Sequence, residues 1–338
     1  MDFDLNGKTV LVTGGTGSFG TAFVRTVLES YDVKSVRAFS RDELKQSELA
    51  SAITDDRLRL FIGDVRDRDR LRLATRGVDV IVHAAALKQV PACEYNPFEA
   101  VQTNVMGAEN VVSAAIENDV PMTIALSTDK AVNPVNLYGA TKLCAEKIVA
   151  QAMAYAAGTS ARFASVRYGN VVGSRGSVIP IFKQQALDGM VTITDERMTR
   201  FWITLDEAVR FVLSCLPLVQ GGETFVPKIP SMRVVDIAAA LAPGAERQVV
   251  GIRPGEKLHE VLVTEDEARH CYDLDDRYMI LPQLATWGLQ QPRGAPLPDG
   301  FRYSSDQNDR WIDEDQLRRM AEVLPPRRRA TDRAPADA

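Results

Sequence analysis

Short apolar runs separated by helix-length amphipathic segments fill the first half of the chain. The run "KTVLVTG" from Lys8 reads as a buried strand, and residues 18–30 as the helix that follows it. "VKSVRAFS", "RLRLFIGD", "VDVIVHAAA" from Val78, "PMTIALSTD" from Pro121 and "ARFASVRYGNV" from Ala161 predict five further strands. Their apolarity is continuous rather than alternating, as a parallel strand covered on both faces requires. Strands alternating with helices make an α/β, doubly wound parallel sheet the economical topology.

After Val171 the pattern turns irregular, with turns such as "GSRGS" and "KIPSM". One good helix stands out over 205–219, followed by a short strand over 223–226. Both are expected to return to the sheet, with the rest forming a smaller C-terminal lobe. Residues 324–338, rich in proline, arginine and alanine, read as a disordered tail.

The segment "TGGTGSFG" sets Gly14, Gly17 and Gly20 between the first strand and first helix. Glycine is needed where the chain turns sharply, where it touches a pyrophosphate and where helix meets strand. Free N–H groups and the positive end of the helix dipole then face the phosphates. In this context the glycines predict a Rossmann dinucleotide site, with Thr16, Ser18 and Phe19 completing the loop. The Rossmann domain would span 1–170 plus about 205–227, and a substrate-binding lobe 171–204 and about 228–323.

An NAD site usually carries an acidic residue some 20 positions beyond the loop. Here the second strand ends at Ser40, followed by Arg41, with Lys45 a helical turn on. A hydroxyl and cations suit a 2′-phosphate, so NADP is expected, although Asp42 could still contact a ribose. Asp64 and Val65 follow the third strand, where Asp64 could read an adenine amino group or cap the helix beginning near Asp67. Ala84, Ala85 and Ala86 are small enough to let a cofactor lie against the backbone.

Composition narrows the function. The 338 residues are 45% hydrophobic and 25% charged with a net charge of −5, which leaves no basic face for nucleic acid. Cys93, Cys144, Cys215 and Cys271 form no C-x-x-C pair and read as free thiols in a reducing compartment. No basic leader with an apolar run and no stretch of about 18 apolar residues is evident, so a cytoplasmic protein is expected. His83, His259 and His270 lie far apart without ligand spacing, and no metal is expected. His83 reads instead as a strand-end residue packed beside the glycine loop.

The stretch "STDKAVNPVNLYGATK" carries the chemistry. Tyr138 and Lys142 fall on one helix face, and an ammonium near a phenol favours phenolate. Tyr138 then suits a base for an alcohol, with Thr128 sharing the hydrogen bond. Asp129 and Lys130 stand just upstream, either as a second acid–base pair or as a turn cap beside a solvated lysine.

Here the chain resembles the extended short-chain dehydrogenase/reductases, and specifically the soluble inverting UDP-N-acetylglucosamine 4,6-dehydratases. The motifs are "FSRDELKQ", "HAAALKQVPACEYNPFEAVQTNVMGAENV", "STDKAVNPVNLYGATKL", "RYGNVVGSRGSVIP", "ITDERMTRFWITLDEAV", "GGETFVPKIPSM" and "GIRPGEKLHE", with "FRYSSDQND" from Phe301 further on. The resemblance implies oxidation at carbon 4 through Thr128, Tyr138 and Lys142, and hydride return to carbon 6. Between these steps Lys130, if neutral, would take the carbon-5 proton, and Asp129, if protonated, would protonate the departing hydroxyl. Inversion at carbon 5 is implied by the resemblance alone.

The same resemblance puts Lys88 near the substrate, although a surface lysine reads equally well. Asn170, Val178, Thr192, Thr194, Met198, Arg200, Arg253 and Glu256 are the other candidates for the sugar nucleotide, with Arg175 beside them. Arginine forks suit a diphosphate. Asn104 more naturally steadies backbone near the site. A homo-oligomer, dimer to hexamer, is also implied. A sugar-nucleotide 4-epimerase or reductase, and a non-catalytic NADP-sensing protein, remain as alternatives. Replacing Arg41 tests the cofactor reading: Arg41→Ala is expected to weaken NADP far more than NAD in titrations, and an equal loss of both removes the 2′-phosphate contact.

Overall fold

The computed structural model describes residues 3–173, 178–285, 287–289 and 294–322. Arg175, the side chain of Val178 and the tail over 324–338 lie outside the described residues. In chain order the first elements are β1 (Thr9–Thr13), α1 (Ser18–Ser30), β2 (Ser35–Ser40), α2 (Glu43–Ala52), β3 (Leu58–Ile62), α3 (Arg68–Ala74) and β4 (Val80–His83). Next come α4 (Val90–Tyr95), α5 (Pro97–Ala100), a π-helical turn over Val101–Met106, α6 (Gly107–Glu117), β5 (Met122–Thr128), α7 (Leu137–Gln151) and β6 (Arg162–Tyr168). The smaller elements follow: β7 (Asn170–Val172), α8 (Val178–Leu187), β8 (Met190–Ile193), β9 (Thr199–Thr204), α9 (Leu205–Cys215) and β10 (Thr224–Pro227). The last are β11 (Ser231–Arg233), α10 (Val234–Leu241), β12 (Glu246–Val249), β13 (Val261–Val263), α11 (Glu265–Ala268), β14 (Cys271–Asp273), β15 (Arg277–Ile280), β16 (Ala295–Pro296), β17 (Tyr303–Ser304) and α12 (Glu314–Glu322).

The large sheet runs β16-β14-β15-β10-β6-β5-β4-β1-β2-β3. Pairing is parallel from β10 through to β3, and antiparallel where β15, β14 and β16 extend the β10 edge. The wind reverses between β1 and β4, which opens a crevice beyond the carboxyl ends of those strands, where ligands bind in such sheets. Successive residues of each inner strand feed opposite cores. Val10, Val12, Val80, Val82 and Ile124 pack on one face, Leu11, Ile81, Ala125 and Phe163 on the other. Each such fully buried aliphatic contributes roughly 1.5–3 kcal/mol.

Four sequence expectations change. β3 is the edge of the sheet, with Leu60 and Ile62 exposed, so its continuous apolarity does not mean cover on both faces. The expected helix over 205–219 ends at Cys215 and tightens into a 3₁₀ turn over Leu216–Leu218, where Pro217 cannot donate to a continuing ladder. The irregular second half also holds α8, α10 and α12, which the sequence pattern hid. α8 opens "VIP" and α10 is only eight residues long, too short for a clear helical period. Strands β14 to β16 come from the stretch given to the smaller lobe, yet pair with the main sheet.

The small lobe has its own core of Val172, Ile179, Phe182, Trp202, Met232, Ile237 and Leu317. β9 is its centre, between β7 and β11. Arg167 of β6 ties α7 to β13 and α11. Its guanidinium donates to Glu146 of α7 at 2.7 and 3.0 Å and to Glu267 of α11 at 2.9 and 3.1 Å. A fifth bond reaches the Leu262 carbonyl at 2.8 Å. Burial opposes the charge on Arg167, but the two carboxylates outweigh it and hold the group firmly protonated. Removing the guanidinium leaves two carboxylates unpaired, one of them fully buried. Arg167→Ala is therefore expected to lose about 3–5 kcal/mol in urea unfolding; a loss under about 1 kcal/mol means that the clamp is not structural.

Candidate functional site

Beyond the strand ends lies an open cavity of about 460 Å³. Gly14, Gly17, Ser18, Phe19 and Gly20 line one side, with Ala84, Ala86 and Lys88 beside them. Thr128, Lys130, Tyr138, Lys142 and Asn170 form the other side. One cavity thus joins the glycine loop, most of the expected catalytic set and two substrate candidates, Lys88 and Asn170.

The loop fits a dinucleotide. Gly14 has φ +68°, and a Cβ there would come within 2.9 Å of the Ala85 nitrogen. A Cβ on Gly20 would overlap the Gly14 carbonyl oxygen. Gly17 caps α1 without any side-chain bond, and the positive end of the helix faces the loop, where an anion is favoured. His83 packs beneath, its Nδ1 2.7 Å from the Thr13 hydroxyl. Burial, helped by the Lys142 charge, pushes its pKa down to about 3, so it stays neutral.

At the adenosine end, Ser40 is buried and its hydroxyl accepts from Gln46 at 3.1 Å. Arg41 lies 3.7 Å from Asp64, and Lys45 pairs with Asp42 at 2.6 Å. Asp42 caps α2 and Asp67 caps α3, so the capping alternative for Asp64 falls to its neighbour. Asp64 is instead held by Arg66 at 2.8 Å. Val65 packs in the core and Ala85 is half-buried; neither lines the cavity.

The catalytic stretch begins at the end of β5, where Thr128 sits in register with Tyr168 of β6. The chain then makes a 3₁₀ turn over Asp129–Ala131 and reverses through Asn133, with φ +43°. Asn136 caps α7 through Gly139 N at 2.8 Å and also donates to the Gly255 carbonyl at 2.8 Å. Tyr138 packs on Cys93 and Ala100, and Asn104 in the π-helical turn steadies the nearby backbone. Asn104 accepts from Leu87 N at 2.8 Å and donates to Leu87 O at 2.9 Å and the Thr141 hydroxyl at 3.0 Å.

Asp129 is fully buried and does not line the cavity; it acts on it through Lys130. Its Oδ1 accepts from Thr128 Oγ1 and from Lys130 Nζ, both at 2.9 Å, while Oδ2 has no hydrogen-bond partner. Glu260 brings a second buried carboxylate, with Oε1 3.4 Å from Lys130 Nζ. Burial works against a charge on Lys130, but these two carboxylates overcome it and raise its pKa. The pocket therefore holds Lys130 as an ammonium, so the neutral amine that the base role requires is not its resting form.

A second correction concerns Tyr138. Burial raises its pKa to about 12, and the opposing cation is Lys130, aided by a hydrogen bond with Thr128. Lys142 was expected to do this. Its ammonium instead donates to the Leu126 carbonyl at 2.6 Å, and burial lowers its own pKa to about 8.

The remaining candidates lie off the main cavity. Thr192 bonds to Gln185, and Thr194 Oγ1 lies 3.2 Å from Met198 Sδ. Arg200 spends its guanidinium on the carbonyls of Thr199, Lys257 and Leu258 at 2.7 to 3.1 Å. Arg253 is exposed on the loop where Glu256 keeps Oε2 buried without a hydrogen-bond partner. His259 bonds to Thr199, remote from His83, and among the described residues no group of His, Cys, Asp or Glu could hold a metal ion. No helix among them is long and apolar enough to cross a membrane.

Sequence reasoning passed over Ser127, Tyr168 and Trp202, which line the cavity, and over Lys257 and Glu260 behind it. The buried Ser127 Oγ, Asn170 Oδ1 and Trp202 Nε1 have no protein partner, as expected of walls that meet a polar ligand. Lys257 and Glu260 both sit in "GIRPGEKLHE", where the carboxylate nearest the expected ligand, Glu256, drew attention away.

Residues 10–282 match the model of a family described as polysaccharide biosynthesis protein. The chain belongs to that family. It is 49% identical to the UDP-N-acetylglucosamine 4,6-dehydratase (inverting) of Campylobacter jejuni strain 81-176, over 92% of this chain and 96% of that protein. It is also 46% identical to a UDP-glucose 4-epimerase of Rickettsia conorii, over 81% of this chain and 82% of that one. Among solved structures, Pen from Bacillus thuringiensis superposes with TM-score 0.87 at 36% identity, covering 96% of this chain and all (100%) of Pen. The dTDP-glucose 4,6-dehydratase DesIV of Streptomyces venezuelae, solved with NAD bound, superposes with TM-score 0.67 at 25% identity over 74% and 86% of the two chains.

Gly139 supplies a structural test of the site. A Cβ there would overlap the Lys130 carbonyl oxygen, so the start of α7 holds the acid–base turn in place. Gly139→Ala is expected to keep dinucleotide affinity, measured by fluorescence titration, and to lose about 100-fold or more in turnover, as when a catalytic group is misplaced. Turnover near that of the parent chain means that the turn tolerates the shift.

Proposed function

We propose that this protein dehydrates UDP-N-acetylglucosamine to a UDP-4-keto-6-deoxy-N-acetylhexosamine, with inversion at carbon 5. The observation that carries the reading is Lys130 in the same cavity wall as Thr128 and Tyr138, with the buried Asp129 carboxylate bonded to it from behind. An epimerase needs one proton-handling group for carbon 4; elimination needs a second set for carbons 5 and 6. The dehydratase relatives support the same choice.

The dinucleotide, when bound, accepts hydride from carbon 4 and returns it to carbon 6. Gly14, Gly17 and Gly20 would hold its pyrophosphate. Arg41 and Lys45, beside Ser40, favour NADP, since their cations suit a 2′-phosphate. Thr128 and Tyr138 hold the carbon-4 hydroxyl, and Tyr138, once ionised beside the Lys130 ammonium, takes its proton. The ketone then acidifies the carbon-5 hydrogen.

A proton transfer within the Asp129–Lys130 pair readies the second step. The ammonium gives its proton to Asp129, leaving a neutral amine and a carboxylic acid without changing the charge of the pocket. Lys130 then takes the carbon-5 proton, and Asp129 protonates the leaving carbon-6 hydroxyl, which requires its buried carboxyl to reach the cavity wall when the sugar binds. Water departs, a carbon 5–carbon 6 double bond forms, and the pair is restored to ammonium and carboxylate; hydride return to carbon 6 is then matched by a solvent-derived proton delivered to the opposite face of carbon 5. Lys88, exposed at the cavity mouth, and Asn170 are assigned to the sugar nucleotide. Arg200, Arg253, Glu256, Thr192, Thr194 and Met198 are assigned to its nucleoside diphosphate, which requires Arg200 to exchange carbonyl partners for phosphate. A cytoplasmic homo-oligomer using NADP completes the reading.

The Rickettsia relatives favour a second reading, 4-epimerisation, and one experiment separates the two. Incubation with UDP-N-acetylglucosamine and NADP in heavy water is expected to give a product lighter by one water, with deuterium at carbon 5 by NMR. An unchanged mass with inverted carbon 4 sinks the dehydratase reading. Tyr138→Phe is expected to abolish cofactor reduction while leaving the dinucleotide bound. Lys130→Ala should still allow slow reduction of the cofactor but lower water loss by roughly 10²–10⁴.

A further inference from the structure

Glu260 enters none of the steps above, yet it is 2% exposed and faces three cations. Its Oε1 lies 3.4 Å from Lys130 Nζ and 3.9 Å from Arg200 Nε. Its Oε2 lies 3.6 Å from Lys257 Nζ and has no hydrogen-bond partner. Its backbone is pinned: Glu260 N donates to Ser305 Oγ at 2.9 Å, and Ser305 N donates back to Glu260 O at 2.8 Å. Lys257 is pinned as well, donating to the carbonyls of Val132 at 2.5 Å and Asp129 at 3.4 Å. Glu260 thus brings to Lys130 a second carboxylate besides that of Asp129.

A buried carboxylate is costly unless it is paired or hydrogen-bonded. Glu260 meets its cations mostly at ion-pair distance, not through short hydrogen bonds, which points to an electrostatic task. We propose that Glu260 is a positioning residue for the elimination: its carboxylate fixes the Lys130 amine at the cavity wall and governs how tightly the Asp129–Lys130 pair holds its shared proton. The proposal rests on the dehydratase reading.

The physical argument has two halves. When Lys130 takes the carbon-5 proton, positive charge grows on Nζ, and a fixed anion beside it stabilises that charge without reorganising. The same anion keeps the pair from losing its proton to solvent. Every charged or titratable group facing Lys130 belongs to this balance: Asp129 and Glu260 hold the proton, Arg200, Lys257 and Lys88 repel it, and the Tyr138 phenol lies on the same cavity wall. Lys257 opposes Glu260 in sign. The two residues should therefore move the same titration in opposite directions.

The test measures water loss against pH, relative to cofactor reduction, for the parent chain and for Glu260→Gln, Glu260→Asp and Lys257→Met. Above the pKa of the pair its proton is lost and Asp129 can no longer protonate the leaving group, so the rate falls. Without the Glu260 anion the proton leaves more easily, and the high-pH limb should move down by about one unit or more. Cofactor reduction should persist and water loss should fall. Glu260→Asp, which keeps the charge, should lie near the parent. Lys257→Met should move the limb up.

Superimposed profiles for Glu260→Gln and the parent overturn the proposal, as does equal loss of reduction and elimination in a folded variant. If Glu260→Gln does not fold, Lys257→Met decides: an upward limb supports the proposal, and an unmoved or downward one overturns it. Failure of the parent chain to release water at any pH is a different result, because it removes the dehydratase reading itself.

Discussion

The site is organised by one constraint: an ammonium, Lys130, held between two buried carboxylates at the end of a central strand. Asp129 cannot be solvated, because it is fully buried, and only its Oδ1 is bonded. Its charge is tolerable only while Lys130 stays close. Lys130 is in turn fixed from below by Gly139, whose lack of a side chain lets α7 start against the Lys130 carbonyl. The turn at Asn133, the cap at Asn136 and the tight packing of α7 all serve that contact.

Such a pair suits elimination because it changes protonation without changing charge. Moving one proton from Lys130 to Asp129 removes two opposite charges from a poorly solvated region at once, whereas titrating either group alone would leave its partner unpaired, which is costly. Tyr138 lacks this advantage. Its phenol must become an anion inside the protein, and burial sets its pKa to about 12 as folded. Lys130 is the cation that most eases this, so under the proposed mechanism the elimination pair would also support the oxidation step. The two halves of the chemistry share one charge.

Much of this was legible in the residues. The six strands of the first half, α1 and the glycine loop followed from apolar runs and glycine spacing, because a buried parallel strand and a phosphate-binding turn leave local marks. Tyr138 and Lys142 followed from helical periodicity. Charge coupling was not legible. That Lys142 would turn to the Leu126 carbonyl, and that Lys130 would be held charged, depends on neighbours distant in sequence. Glu260 lies 130 positions from Lys130. The short helices of the small lobe were hidden for another reason: α8 and α10 are buried against β8 and each other, which blurs the polar face a surface helix shows.

The ion cluster does not close on itself. Asp129 and Glu260 bring two negative charges, while Lys130, Lys257 and Arg200 bring three positive ones, with Lys88 near the cavity mouth. Arg200 occupies its guanidinium with carbonyl oxygens, which a dianionic diphosphate would outbid as a partner. A substrate that drew Arg200 away from Glu260 would leave that carboxylate to Lys130 and Lys257 alone, strengthening its hold on the elimination pair just as sugar enters the cavity. On this view the nucleotide is more than a handle. Its charge helps set the proton affinity of a base that acts on the sugar, and a bare hexosamine would meet a weaker one.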